Sequence, residues 1–511
     1  MFGLTTPPEL VRRALPVFGA GLTAAVLLAS ASLWAAEDSG EPRKMSDGVK
    51  EVDFSKGNFR SDPQYPEETY NPTSQYTIYG RKRPVDTPRP VLELGRPIYT
   101  EGPFEPEYHP LGDRNPVAPA LSVYGDLRTA VAFNDNGDDE VGQAAARLNL
   151  DVDLKLTATE RLHAFFRPLD RGGKFTRVEF FGDDEDGADS ELNLNIENLF
   201  FEGDVGSLVT GFSGEEAGFD LPFAVGFTPM LFQNGIWVDD AFIGGGASLM
   251  AKNSPMLDIS NMDITLFGGF DEVTTPGVKA ADGALEDDVG VVGGAAFIEA
   301  NEGYWEFGFG HVFDDGELGD QDYYSLTAAF TRRYGRWLSN SLRGYWTFGQ
   351  DRDGSAAQTA DGFALLVENS IVTSLPSTLV PYINGWVGVG TPQPLAGDKG
   401  LLRNTGINFE TDALTGFPKL DDTANDTFGG AVGIQYLFNL DQQIVAEVAA
   451  LQTIGGDNKV GRAAPGDQYA VGLRYQLPLT AAWILRSDAM YGWRENDDDI
   501  TGVRLEFRRK F

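Results

Sequence analysis

The chain has 511 residues, 42% hydrophobic and 12% aromatic, with 61 Gly, 28 Pro and a formal net charge of -36. Cysteine is absent, which excludes disulfides, thiolate metal sites, cysteine nucleophiles, a lipobox anchor and haem attached through CxxCH. The acidic balance, with no basic stripe to offset it, argues against nucleic acid, whose phosphates it would repel.

The first segment, "VRRALPVFGAGLTAAVLLASASLWAA", starts with Arg12 and Arg13, runs apolar from Val17 to Leu28 and closes on small residues. That three-part layout predicts a cleaved secretory signal peptide over 1–36, with Ala29-Ser30-Ala31, Ala35 or Ala36 at the cut. The alternative, an uncleaved anchor, has a run short of the ~20 residues a helical span needs. No later run of 18 or more apolar residues occurs, so the exported chain is either soluble or a β-barrel, the other structure that satisfies its backbone in lipid. Residues 37–119 hold nearly half of the prolines and keep neither a period of two nor of 3.6. Proline removes a donor and fixes φ, so this section reads as extended or disordered. Its Tyr and Phe content suits a tail that docks on a periplasmic partner or a plug, with a plain linker as the alternative.

From Ala120 the texture changes. "LSVYGDLRTAVAF" sets Leu121, Val123, Leu127, Val131 and Phe133 against Ser122, Tyr124, Asp126 and Arg128, and a turn, "NDNGDDE", follows. "RLNLDVDLKLTA" alternates strictly, with Leu148, Leu150, Val152, Leu154 and Leu156 opposed by Arg147, Asn149, Asp151, Asp153 and Lys155. Successive strand side chains point to opposite faces, so one face is apolar and the other needs water along its whole length. The pattern recurs in "YWEFGFGHVF", "FGGAVGIQYLFNL", "YAVGLRYQLPL" and "AAWILRSDAMYGW", separated by acidic or Gly-rich breaks, and the chain ends on "TGVRLEFRRKF". Segments of about ten alternating residues with aromatics near their ends predict an all-β transmembrane antiparallel barrel over 120–511, of roughly 16 to 18 strands. A soluble extracytoplasmic β-rich binding protein is the competing reading of the same alternation.

The signal peptide, the train of amphipathic hairpins and the terminal aromatic together resemble a Gram-negative outer-membrane β-barrel of the porin type. The resemblance implies that Val503, Leu505, Phe507 and Phe511 form the signal read by the barrel-assembly machinery. Arg509 departs from it, standing where such strands more often carry an apolar residue. The resemblance also implies a homo-oligomer as an arrangement open to the chain. The stretch "GFTPMLFQNGIWVDDAFIGG", through Gly226, Gln233, Gly235, Trp237, Asp239 and Ile243, is similar to one in alginate-export-type barrels.

If the leucines and aromatics face lipid, parity places a charged set inward: Arg147, Asp151, Asp153, Lys155, Arg167, Arg177, Glu179, Glu306, Arg343, Glu447, Arg474, Arg486, Asp488, Arg504, Glu506 and Arg508. Charges of both signs across a water-filled bore orient polar solutes and admit ions. The acid excess sits in the breaks, at Asp183 to Asp189, Asp314, Asp315 and Asp497 to Asp499. Solvation alone explains it, and cation bridging to lipopolysaccharide is the functional alternative. Neither "NDNGDDE" nor "DDEDGADSE" has EF-hand spacing, so no metal ligands are assigned, and no cofactor motif is found. Of the three histidines, parity puts His163 with Arg167 and His311 with Phe309; G-x-S-x-G, H-E-x-x-H and P-loop motifs are absent, so no catalytic residues are expected. The expected function is a channel for diffusion of small hydrophilic solutes or ions. The alternative is an export or electron-transfer conduit whose N-terminal segment binds a periplasmic partner or plugs the pore.

Overall fold

The computed structural model describes residues 88–95 and 108–511, apart from 172–173, 183–186, 280–284, 286–288, 314–320, 353–356, 377, 412, 439–441, 456–463 and 465. The expected signal peptide and residues 37–87 and 96–107 of the Pro-rich section lie outside the described residues.

The chain folds as a closed antiparallel barrel of 18 strands. β1 (Ala120–Asp135) and β2 (Glu140–Lys155) form the first hairpin. β3 and β4 are each broken in two, β3 into Arg161–Phe166 and Lys174–Gly182, β4 into Ala188–Asp189 and Ile196–Asp204. β5 to β18 follow as Pro222–Phe232, Val238–Ser254, Ile259–Asp271, Gly290–Ala300, Gly303–Phe313, Tyr323–Tyr334, Leu338–Phe348, Asp361–Ile371, Leu379–Thr391, Thr427–Phe438, Gln442–Thr453, Gln468–Pro478, Trp483–Arg494 and Ile500–Lys510. Each strand pairs with the next, and β18 returns to β1, from Asp126 opposite Lys510 to Asp135 opposite Thr501. Closure leaves no open sheet edge among the described strands, which satisfies their backbone groups across the lipid.

The alternation of the sequence becomes the two faces of the wall. On β18, Val503, Leu505 and Phe507 are 52%, 43% and 40% exposed, while Arg504 and Glu506 are 2% and 3% exposed, so the apolar set faces out. Outward aromatics gather near both strand ends, as in the pairs Trp305–Phe330 and Tyr491–Trp493, with ring centroids 4.4 and 4.8 Å apart. Such girdles mark the two interfaces of a bilayer.

At the near end, where β1 begins and Phe511 stops, the connections are short. Asn301 and Glu302 turn β8 into β9 with φ of 58° and 59°, the left-handed pair of a tight hairpin. Helix α1 (Val205–Ser213) joins β4 to β5, its first turn capped by the Asp204 carboxylate, which accepts from Ser207 N at 2.6 Å. Beside it, burial would raise the Glu160 carboxyl, but hydrogen bonds from Thr157, Asn115, Thr159 and the Asp204 N–H outweigh burial and hold it below its ordinary range. These bonds pin residues 108–119 to the foot of the wall.

The seam has an addition. Gly125 and Phe511 exchange both backbone hydrogen bonds, at 2.8 and 3.0 Å, and just beyond them the strand Leu92–Gly95 takes over the pairing with β1, Leu92 opposite Val123 and Gly95 opposite Ala120. At the far end the described residues of two long connections, 272–289 and 392–426, pack inward, and with Trp237, Phe242 and Tyr323 they make a dry core.

Candidate functional site

Of the sixteen charged residues expected to point inward, all but Arg167 lie in strands of the wall, and most of them are joined in ion-paired networks. Asp488 on β17 accepts from three guanidiniums: Arg474 at 2.7 Å, Arg486 at 2.9 Å and Arg504 at 2.6 Å. Glu506 binds Arg128 of β1 through two bonds of 3.0 and 2.6 Å across the closing seam. Arg508 pairs with Asp126. Further round, Arg167 holds Asp170 and Glu197, and Arg177 lies 2.9 Å from Glu179 and 3.5 Å from Asp189. Asp151 faces His163 at 3.3 Å, Asp153 faces Arg161 at 3.5 Å, and Lys155 stands exposed at the near rim. On the opposite arc Arg343 sits between Glu306 at 2.7 Å and Glu368 at 3.0 Å. Pairing of this kind is what low dielectric demands, because a buried charge without a partner is strongly penalised.

Arg147 differs from its neighbours. It lies directly opposite Arg128 in the β1–β2 register, bonds Asn149 Oδ1 at 2.8 Å and places its guanidinium 5.7 Å from the Phe175 ring centroid. Among the described residues no carboxylate lies within salt-bridge distance of it. Arg147 is thus a guanidinium without an ion-pair partner among the described residues.

Five of the sixteen, Arg343, Glu447, Asp488, Arg504 and Glu506, are under 5% exposed, so they do not line open water. Most of this cover comes from the 392–426 connection. Its hydrophobic side chains pack on the wall: Phe409 stands edge-on to Trp386 at 5.1 Å, and Phe417 lies 5.1 Å from the Arg504 guanidinium. Small residues on the wall make room. A Cβ on Gly502 would come within 2.7 Å of Pro418, and one on Gly308 within 2.6 Å of the Trp237 ring. Glu447 anchors the middle of the loop, accepting from Ile407 N at 3.1 Å and Asn408 N at 3.0 Å. The tip reaches β1 and β2, where Leu414 packs with Ala130, Ala145 and Phe175, and Thr415 O accepts from Asn134 and Gln143 at 2.5 and 2.9 Å. Arg403 pairs with Asp239, and Asn404 bonds Asn234 O at 2.8 Å. The loop therefore narrows the lumen from β6 round to β2.

The remaining sites take simpler positions. His311 is outward, stacked on Tyr324 at 4.3 Å, whereas His163 faces in. The stretch from Gly226 to Ile243 forms β5, a left-handed turn at Gln233 and Asn234, and the start of β6, with Trp237 fully buried under the loops. Of the acidic breaks, 183–186, Asp314 and Asp315 lie outside the described residues, Asp497 pairs with Arg494 at 2.8 Å, and Asp499 accepts from the Tyr491 hydroxyl at 2.7 Å. Arg509 points outward over the Trp483 ring at 5.6 Å, which accounts for a charge on the lipid side of the last strand: it sits in the interfacial girdle.

Sequence reasoning did not single out the 392–426 connection, nor Arg403, Glu410, Leu414 and Phe417 within it. A signal was present, since Leu395, Leu401, Leu402, Phe409, Leu414, Phe417 and Leu420 are too many apolar residues for a solvated loop.

No protein-family model matches the sequence, and no curated protein does. Solved structures share the fold. The outer membrane protein opdK from Pseudomonas aeruginosa aligns with a TM-score of 0.50 at 14% identity, over 76% of this chain and 98% of that one. OccAB4 from Acinetobacter baumannii aligns with a TM-score of 0.50 at 11% identity, again over 76% and 98%. A structure of opdK with vanillate gives the same match, with a TM-score of 0.50 at 14% identity. At these identities the likeness is one of fold.

Proposed function

We propose that this protein is a non-enzymatic outer-membrane channel through which small hydrophilic solutes and ions diffuse passively. The observation that carries this reading is a closed barrel whose strands set an apolar outer face against an opposite face rich in paired charges. A soluble β-rich binding protein would not display Val131, Phe133, Val448, Val471 and Leu473 to water over a closed wall, all of them more than a third exposed. The folded-in 392–426 loop sets the width, and the inward charges set ionic preference. Val503, Leu505, Phe507 and Phe511 serve in this reading as the assembly signal, lipid and lipopolysaccharide surround the barrel, and a cleaved signal peptide delivers the chain to the outer membrane.

A second reading is favoured by one observation. The strand Leu92–Gly95 extends the seam, and Pro88 and Pro90 line a cavity of about 610 Å³ at the near mouth together with Asp126, Asp151 and Arg508. In that reading the N-terminal segment governs access from the periplasm or meets a partner there.

Planar-bilayer conductance of the refolded mature chain, with the reversal potential under a KCl gradient, tests the channel. Steady open-pore conductance is the expected result, and its absence in inserted barrels overturns it. A chain lacking residues 37–95 separates the readings: unchanged gating leaves a plain channel, while a closed pore that opens on truncation makes the segment the gate.

A further inference from the structure

We propose that the cavity beneath the 392–426 loop is a binding site for an uncharged, hydroxyl-rich solute of about one sugar ring, a deepening that rests on the channel reading above. The cavity measures about 330 Å³, the lower end of the range for small-molecule sites, and it lies on the near side of the constriction.

Three carboxamides reach it from three successive strands: Gln435 on β14, Gln443 on β15 and Gln476 on β16, the last two opposite each other in register. Among the described residues, no protein group takes up any of these three amides. Of the other polar groups of the cavity, Arg403 is held by Asp239 and Asn404 donates to Asn234 O at 2.8 Å. Arg474 is held by Glu410 at 2.9 Å and Asp488 at 2.7 Å, so its charge is balanced in place. Asn384 donates to Thr405 O at 2.5 Å and accepts from Asn369 N at 3.3 Å. The Tyr382 hydroxyl bonds Glu447.

What is left for a solute is therefore a patch of groups that each donate and accept without net charge. A hydroxyl does the same, and a carboxylate or an ammonium does not. An anion would have to displace Glu410 from Arg474, and a cation would face that guanidinium directly. The roof is set in advance by the bonds from Ile407 N and Asn408 N to Glu447, so little ordering is needed when the solute arrives.

The test uses the full mature chain in liposomes, with fluxes of glucose and of gluconate, which shares the carbon skeleton and carries a charge. Glucose flux through the wild-type channel is expected to saturate, and the double substitution Gln443→Met and Gln476→Met to lower the glucose-to-gluconate flux ratio by about fivefold or more, the effect of losing one net hydrogen bond. The ratio cancels any general narrowing. Non-saturating glucose flux, or a ratio unchanged by the substitutions, overturns the site while leaving the channel standing. The saturation arm needs only the wild-type chain. Wild-type barrels that insert and pass no ions overturn the channel reading itself, and this inference with it.

Discussion

At the scale of single residues, pairing decides which charges act on a solute. Arg474, Arg486 and Arg504 surround one carboxylate, Asp488, and Arg343 is clamped by Glu306 and Glu368. Such groups hold the wall and the loop together, three guanidiniums against the carboxylates of Asp488 and Glu410 in one cluster and one guanidinium against two carboxylates in the other. Arg147 keeps its charge uncompensated at short range, with Arg128 opposite and an aromatic ring beside it. Replacing it by Gln is expected to move the reversal potential in a KCl gradient toward the cation limit by several millivolts, and single-channel recordings of Arg147→Gln against wild type check this. An unchanged reversal potential would show that Arg147 lies off the ion path. Parity along "RLNLDVDLKLTA" groups Arg147 with Asp151 and Asp153; which charges are covered depends on residues such as Asn408, 39 positions from Glu447, and Phe417, 87 positions from Arg504, which no local period reports.

At the scale of elements, strands and loop obey different rules. Strands were legible because lipid outside and water inside impose a period of two on every crossing, as β2 and β18 show. The 392–426 loop has no period, because it packs as an irregular core against the wall. Its stability depends on pH through Asp421. Burial, with neighbouring Asp422, pushes the Asp421 carboxyl up to about 6 from an ordinary value of 3.8. An acid raised on docking favours the docked loop while protonated. That contribution is full below pH 3.8, is lost as pH rises through about 6, and amounts to about 2–3 kcal/mol. The frequency of conductance flicker is therefore expected to rise between pH 4 and pH 7 and stay level above, measured in symmetric KCl. Asp421→Asn should stay quiet across the range. A wild-type chain equally quiet at pH 5 and pH 8 would show that Asp421 ionises without loosening the loop.

At the scale of the whole molecule, closure is the governing constraint. β18 meets β1 through ten register pairs from Asp126–Lys510 to Asp135–Thr501, and no internal strand can substitute for that seam. Leu505 lies in the middle of β18 on the outward face, so Leu505→Arg is expected to cost about 2–4 kcal/mol of barrel stability, while Leu505→Ile changes little. Heat-modified migration of unboiled samples against temperature measures the loss. Equal melting of the two variants would mean that this face does not meet lipid.

The sequence by itself determined the class of fold, an antiparallel barrel whose strands alternate apolar and polar side chains, because that follows from a two-sided solvent and the geometry of a strand. Only the tertiary structure decided the final strand count of 18, the path of the 392–426 loop across the lumen, and the split between charges open to water and charges buried under it. Those depend on contacts such as Glu447 with Asn408 and Leu414 with Phe175, between residues that share no local pattern and meet only when the wall has closed.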